Sequence, residues 1–171
     1  MDFFEAVQKR VAVRQYISGM SIPKEDLDKI LEAARQAPSA GNLQSYKIYV
    51  IDKEKDIKEV AKFYRNQKSE FIPSSSAILF FCPDPDRANE RYPEKKDHYS
   101  LQDATISQAF AILAATSLGY GSCWAGSFDA RLVADFLKTD LIPAGSLIIG
   151  YPNEKPERKE RKPIEELVIY K

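Results

Sequence analysis

Residues 77–82 read Ala77-Ile78-Leu79-Phe80-Phe81-Cys82, a short apolar run without one strongly polar side chain. A strand that is wetted on one face alternates polar and apolar residues, whereas a strand covered on both faces stays apolar throughout. We therefore predict that residues 77–82 form a strand at the centre of a sheet.

Other segments on either side of this strand predict further regular structure. Aromatic and β-branched residues favour a strand at 46–51, and shorter apolar runs favour strands at 123–125 and 147–149. Apolar residues recur at helical spacing in the remaining segments, namely 3–7, 24–37, 57–64, 101–118 and 129–137. This alternation predicts a mixed α+β fold around one sheet.

Residues 101–118 form the most apolar of these predicted helices, with almost no polar face. Ser100 and Asp103 form a plausible capping arrangement at its start, and Gly119 ends it. A helix without a wet side has to be buried. Its place is therefore either the centre of the core or one half of a subunit interface.

Two further segments bear on the molecular surface. Residues 83–99 are polar and include Pro83, Pro85 and Pro93, which predicts a long surface excursion of the kind that often covers an active site. Residues 164–170 are too apolar to remain in water. We expect this tail to pack across a partner subunit.

Composition narrows the choice of partners. The 171 residues include 25 basic and 25 acidic side chains, so the formal net charge is zero and no global field recruits nucleic acid or an anionic membrane. No apolar run approaches the ~20 residues of a membrane span, and the first residues lack a signal-peptide pattern. We expect one cytoplasmic domain with small or hydrophobic partners.

The residue types that bind metals or carry nucleophilic catalysis are scarce in this chain. Cys82 and Cys123 lack the spacing of metal ligands, and the single histidine, His98, cannot complete a cluster. We therefore predict no metal site.

Residues 9–14, Lys9-Arg10-Val11-Ala12-Val13-Arg14, place two guanidinium groups after the predicted first helix, and guanidinium groups bind phosphate with paired hydrogen bonds. If the helix continued, Arg10 and Arg14 would share one face; in an extended turn, they would reach opposite ends of a ligand about 10 Å long. The alternative to ligand binding is that Arg10 and Arg14 are simply two solvated charges at a helix end.

Residues 37–44 end the second predicted helix and then offer three polar side chains, Ser39, Asn42 and Gln44. Ala40 and Gly41 are small enough to let a flat ligand approach the backbone. The alternative is an ordinary turn, because turns favour these residue types.

Taken in order, these two stretches and three later ones resemble the nitroreductase family of flavin mononucleotide (FMN) enzymes. The later stretches are Leu101-Gln102-Asp103-Ala104, residues 119–128 (GYGSCWAGSF), and Ile149-Gly150-Tyr151-Pro152 with the basic segment that follows. The resemblance implies a nitroreductase-like fold with one central, mostly antiparallel sheet and a long buried central helix. It also implies a single domain over 1–171 with a variable lid at 64–99, and a homodimer joined by an extended arm at 163–171.

The resemblance also implies a set of FMN-binding positions. Arg10 and Arg14 would hold the phosphate or ribityl chain and the pyrimidine edge, and Lys159 and Arg161 would bind the phosphate. The family usually has Ser at Ala12, so the affinity for FMN is expected to be lower here. The other positions are Pro38, Ser39 and Ala40, reaching the flavin of the other subunit; Asn42 and Gln44, near the ring or ribityl; Asn66 and Gln67, at the pyrimidine edge; and Cys123, Trp124, Ala125 and Gly126, whose backbone lies beside flavin N5.

Several of these positions have alternatives. Asn66 and Gln67 fit a surface-helix end equally well, and Cys123 and Trp124 could simply fill the core. Residues 155–162 carry five basic and two acidic groups, which also fits a nucleic-acid patch or a solvated tail. The stretch lacks interleaved aromatic residues, which argues against nucleic acid.

The implied activity is a ping-pong exchange in which NADH or NADPH delivers hydride to FMN and a nitroaromatic, quinone or similar electron-poor molecule then takes the electrons. No catalytic side chain is expected, because the cofactor performs the electron transfer. The chain contains no G-x-G-x-x-G fingerprint of a separate dinucleotide domain. The alternatives are a specialised family member, namely a flavin reductase, dehalogenase or flavin-fragmenting enzyme, or a flavin-binding redox sensor without NAD(P)H turnover.

Overall fold

The computed structural model describes residues 1–65 and 70–171. Within these residues the helices are α1 (Phe3–Lys9), α2 (Lys24–Arg35), α3 (Glu54–Ala61), α4 (Pro85–Asn89), α5 (Lys96–Ser117) and α6 (Ala130–Leu137). The strands are β1 (Tyr46–Ile51), β2 (Ala77–Pro83), β3 (Gly121–Ala125) and β4 (Gly145–Gly150).

The four strands form one antiparallel sheet in the order β1-β2-β4-β3. Strand β2 lies between β1 and β4, so the prediction of a central strand at 77–82 is confirmed. The mixed α+β class and the antiparallel sheet implied by the family resemblance are confirmed as well.

Strand β2 is apolar throughout because helices cover both faces of the sheet. Phe80 belongs to a core shared with Val60 of α3 and Val133 of α6. Leu79 belongs to a second core, shared with Ile30 of α2 and residues of α5 such as Ala111. The two cores hold the four strands between helical layers.

The central helix α5 begins earlier than predicted. It starts at Lys96 rather than Leu101, and Ser100 lies inside it, where its hydroxyl donates to the carbonyl of Asp97 at 3.2 Å. The predicted cap at Ser100 is therefore wrong. Residues 96–99 are polar, so apolar periodicity could not detect this first turn.

The segment predicted as a long surface excursion is partly helical. Residues 85–89 form α4, which has Pro85 at its first position and Asp84 as its side-chain cap. A short 3-10 turn, Pro93–Lys95, then leads into α5. Proline marks a helix start here rather than an irregular loop.

The long helix is buried on one face only. Its sheet-facing residues, such as Asp103, Ala104 and Ala111, are buried, whereas Ile106 and Phe110 remain 38% and 39% exposed. Other exposed apolar groups occur on α1 and at the carboxyl end: Phe3, Phe4, Ile164, Leu167, Ile169 and Tyr170. The chain therefore presents an apolar surface that it does not cover by itself.

No helix in the described residues has the length and apolar character that crossing a membrane requires.

Candidate functional site

Residues 10–14 are extended and run beside β3. Helix α1 ends at Lys9, and Arg10 already has extended backbone angles. Ala12 pairs in parallel with Ser122, and the amide of Val13 donates to the carbonyl of Ser122 at 2.9 Å. The extended alternative therefore holds for the backbone of this segment, which follows the edge strand of the sheet.

A cavity of about 420 Å³ lies between this segment and the basic stretch near the carboxyl end. It is lined by Arg10, Val11, Ala12, Arg14, Pro156, Glu157, Arg158, Lys159 and Arg161. Five cationic side chains thus face one carboxylate. Partial burial, together with the nearby charges of Arg161 and Arg158, lowers the pKa of Arg10. Burial is the larger cause of this shift; the smaller contribution from the two arginines is repulsion between like charges, which a bound anion would relieve.

The basic side chains of this cavity divide into two roles. Arg158 donates to the carbonyl oxygens of Val7 and Gln8, near the carboxyl end of α1, where a cation stabilises the helix dipole. Within residues 1–65 and 70–171, the side chains of Arg10, Lys159 and Arg161 make no hydrogen bond. These three remain available for an anionic ligand, whereas Arg158 is engaged in the fold.

A second cavity, of about 650 Å³, lies at the end of β3. It is lined by Arg14, Tyr64, Phe71, Ile72, Cys123, Trp124, Ala125, Gly126, Ser127 and Ala144. Arg14 lines both cavities, so the basic one and the aromatic one adjoin at its side chain. Together they fit a ligand with an anionic tail and a flat ring.

Trp124 is a wall of the second cavity rather than core. Its side chain is 57% exposed, and its indole nitrogen donates to Oε1 of the buried Gln108 at 2.9 Å. Cys123, by contrast, is 2% exposed, and burial raises the pKa of its thiol, against the opposing effect of Arg14. The core-filling alternative thus applies to Cys123 and is wrong for Trp124.

Residues 38–44 follow helix α2 and are separate from the two cavities. The segment lines neither cavity, and its backbone is bonded by Asp103 of α5, by Arg87 of α4 and Arg91 just after it, and by a side chain of the segment itself. The amide of Ala40 donates to Asp103 at 2.8 Å, and Ser39 Oγ accepts from the amide and the side chain of Gln44 at 3.0 and 3.1 Å. Gly41, Asn42 and Gln44 have φ angles of 56°, 59° and 45°. Positive φ at a glutamine is a strained conformation, typical of functional loops.

The remaining predicted positions have different outcomes. Asn66 and Gln67 lie outside the described residues. Among the aromatic residues within the predicted lid at 64–99, Phe71 lines the second cavity, whereas Tyr92 and Tyr99 pack on each other at 4.9 Å between ring centres.

Sequence reasoning missed some residues that line the cavities. Tyr64, Ser127 and Ala144 come from loops and element ends that no local pattern distinguishes. Arg158 belongs to the basic stretch that the sequence indicated. Only its contact with α1 distinguishes its role from the roles of the neighbouring basic residues.

Comparison with known proteins agrees with this architecture. A family model described as the nitroreductase family matches residues 7–151. The chain therefore belongs to the nitroreductase family. A candidate NADH dehydrogenase/NAD(P)H nitroreductase of Archaeoglobus fulgidus is 30% identical over 164 residues, covering 91% of this chain and 88% of the relative.

Two solved structures show the same fold. A nitroreductase family protein from Streptococcus pneumoniae superposes with a TM-score of 0.89 at 24% identity, over 99% of this chain and 100% of that one. A candidate nitroreductase from Exiguobacterium sibiricum, whose structure contains FMN, superposes with a TM-score of 0.86 at 22% identity, over 100% and 98% of the two chains.

Proposed function

We propose that this protein is an FMN-dependent NAD(P)H oxidoreductase that reduces nitroaromatic, quinone or related electron-poor molecules. The observation that carries the proposal is the pair of cavities that adjoin at Arg14, one basic and one lined by aromatic and backbone groups. The relatives named for NAD(P)H nitroreductase activity and the FMN-containing structural neighbour support the same cofactor and electron donor.

The residues present fit FMN at both ends. Arg10, Lys159 and Arg161 offer cationic donors for a phosphate. At the other end, the N–H of Gly126 has no acceptor within the described residues, and a ring with acceptor atoms would supply one. Ala12 contributes backbone alone, so it offers one donor fewer than the serine usual in the family.

When bound, FMN would supply the electron transfer, and the chain binds and orients it. The side chains of the aromatic cavity that could exchange protons are poorly suited to do so. Burial raises the pKa of both Tyr64 and Cys123, so both remain protonated at neutral pH. Neither group therefore offers a general base at neutral pH.

The proposed active form is a cytoplasmic homodimer of one-domain subunits, with no nucleic acid or membrane as partner. The exposed apolar face of α5 and the arm at 163–171 would form the interface. Pro38, Ser39 and Ala40, which line neither cavity of their own subunit, would then reach the flavin of the other subunit. Asn42 and Gln44 would lie near the ring or the ribityl chain. Asn66 and Gln67 would approach the pyrimidine edge.

The decisive experiment begins with the visible spectrum of the purified protein and the FMN content per subunit. Oxidation of NADH and NADPH is then measured with a nitroaromatic acceptor, a quinone and free flavin. We expect one FMN per subunit and turnover with at least one acceptor. A protein that binds FMN but oxidises neither nucleotide would favour the redox sensor, and turnover with free flavin alone would favour the specialised flavin reductase. A protein that cannot bind FMN would overturn the proposal.

A further inference from the structure

A chain of hydroxyl groups connects the interior of the sheet to the wall of the aromatic cavity. Tyr64 Oη donates to Ser146 Oγ at 2.7 Å, and Ser146 Oγ donates to the carbonyl oxygen of Ala125 at 3.0 Å. Ser146 is fully buried, and Tyr64 is 9% exposed. Water therefore has little access to replace either bond.

The direction of these bonds follows from the number of protons. Ser146 has one hydroxyl proton and gives it to Ala125, so its oxygen must accept from Tyr64. Burial raises the pKa of Tyr64, so its hydroxyl stays protonated and remains a donor. Hydrogen bonds that run in one direction polarise one another. The last acceptor is the Ala125 carbonyl, so the dipole of its peptide group increases and the N–H of that peptide becomes a stronger donor.

The peptide bond between Ala125 and Gly126 carries this effect into the cavity. The described chain has no cis peptide bonds, so the Ala125 carbonyl and the Gly126 N–H lie in one plane and point in opposite directions. The carbonyl points to the buried Ser146, so the N–H points away from it. Both residues line the aromatic cavity, where this N–H has no acceptor among the described residues.

The backbone around Tyr64 keeps its ring in place. The amide of Arg65 donates to the carbonyl of Ser127 at 3.0 Å, and the amide of Asp129 donates to the carbonyl of Phe63 at 2.8 Å. The ring of Tyr64 also packs on Phe128, with 5.5 Å between ring centres. Tyr64 is thus fixed to the loop that follows Ala125, whose carbonyl accepts the hydrogen bond from Ser146.

We propose that Tyr64 is a positioning residue that acts through Ser146 on the Ala125–Gly126 peptide and thereby lowers the reduction potential of the bound FMN. This inference rests on the proposed function. Under that function the Gly126 N–H would lie beside N5 of the bound flavin. Oxidised N5 carries a lone pair and would accept a hydrogen bond from it, whereas reduced N5 carries a hydrogen and would gain less. A well-oriented, polarised N–H therefore favours the oxidised form.

The test measures the midpoint potential of FMN in the purified holoprotein, in equilibrium with reference dyes. The variants are Tyr64→Phe, Ser146→Ala and the double variant. The matched control is Tyr46→Phe, because Tyr46 is 8% exposed and its hydroxyl donates to the carbonyl of Ala34 at 3.1 Å, outside both cavities.

We expect a positive potential shift in Tyr64→Phe, a larger positive shift in Ser146→Ala, and no shift in Tyr46→Phe. The double variant should match Ser146→Ala, because both residues act through one hydrogen bond. A Tyr64→Phe potential equal to that of the control, or additive shifts in the double variant, would overturn the inference. If Ser146→Ala loses its flavin, the Tyr64→Phe comparison with the control decides alone. Failure of the wild-type protein to bind FMN would instead count against the proposed function.

Discussion

Gln108 of the central helix holds the indole of Trp124 in the cavity wall, and Gly145 leaves the space in which they meet. The indole nitrogen lies 2.9 Å from Gln108 Oε1. A Cβ added to Gly145 would lie 2.9 Å from both Gln108 Oε1 and Trp124 Nε1. Alanine at this position would therefore push two hydrogen-bonded groups apart.

We predict that Gly145→Ala destabilises the protein by about 1–3 kcal/mol, the usual cost of overpacking a buried site. Urea unfolding measures the loss, and the emission of Trp124, the only tryptophan, reports the displaced indole. Gln108→Ala in the same chain makes room for the added methyl group. The double variant should be more stable than the sum of the two single losses predicts; simple additivity would show that the two groups do not compete for this space.

The basic cavity gives a second prediction, about cofactor affinity. Arg10→Ala or Arg161→Ala should weaken FMN binding by about 1.5–3 kcal/mol, the range for a lost charge-assisted hydrogen bond. Titration of the apoprotein with FMN, followed by flavin fluorescence, measures this change.

Arg158→Ala is the matched control for these arginines, since this side chain is engaged by the carbonyls of Val7 and Gln8. Its removal should lower stability more than it lowers FMN affinity. Equal losses of affinity for Arg158→Ala and Arg161→Ala would show that the division of roles in this cavity is wrong. Ala12→Ser should tighten FMN binding modestly, because it adds one side-chain donor.

The basic cavity also shows what sequence could and could not predict. The central strand was predictable because burial on both faces leaves a local signature. The approach of Arg161 to Arg10 leaves no local signature, because the two residues are far apart in the sequence. Only the family resemblance placed both at the phosphate. The bonds from Tyr64 to Ser146 and from Ser146 to Ala125 join residues 82 and 21 positions apart, so no local pattern encodes them.

The uncovered apolar surface gives a third prediction, about assembly. Phe110→Asp should dissociate the proposed homodimer and release FMN, because burying an unpaired charge in an interface is costly. Deletion of residues 164–171 should have the same effect. Sedimentation velocity and flavin content measure both outcomes.

Leu132→Asp is the control for the interface variants. Leu132 is 48% exposed, but it lies on α6, which covers the opposite face of the sheet from α5. This variant should remain dimeric and yellow. A wild-type protein that sediments as a stable, FMN-loaded monomer would rule out the shared site.

The last prediction separates chemistry by the cofactor from chemistry by a side chain. His98 is exposed and lines neither cavity, so His98→Ala should keep nitro- or quinone-reductase turnover within about tenfold of the wild type. Loss of a general acid or base would cost 10²–10⁴-fold. Phe71 lines the aromatic cavity, so Phe71→Ala should change KM and acceptor preference more than FMN content. Stopped-flow absorbance follows reduction by NADH and reoxidation by the acceptor separately. A His98→Ala protein that holds FMN normally but is no longer reduced would assign a proton-transfer role to His98 and contradict a mechanism without catalytic side chains.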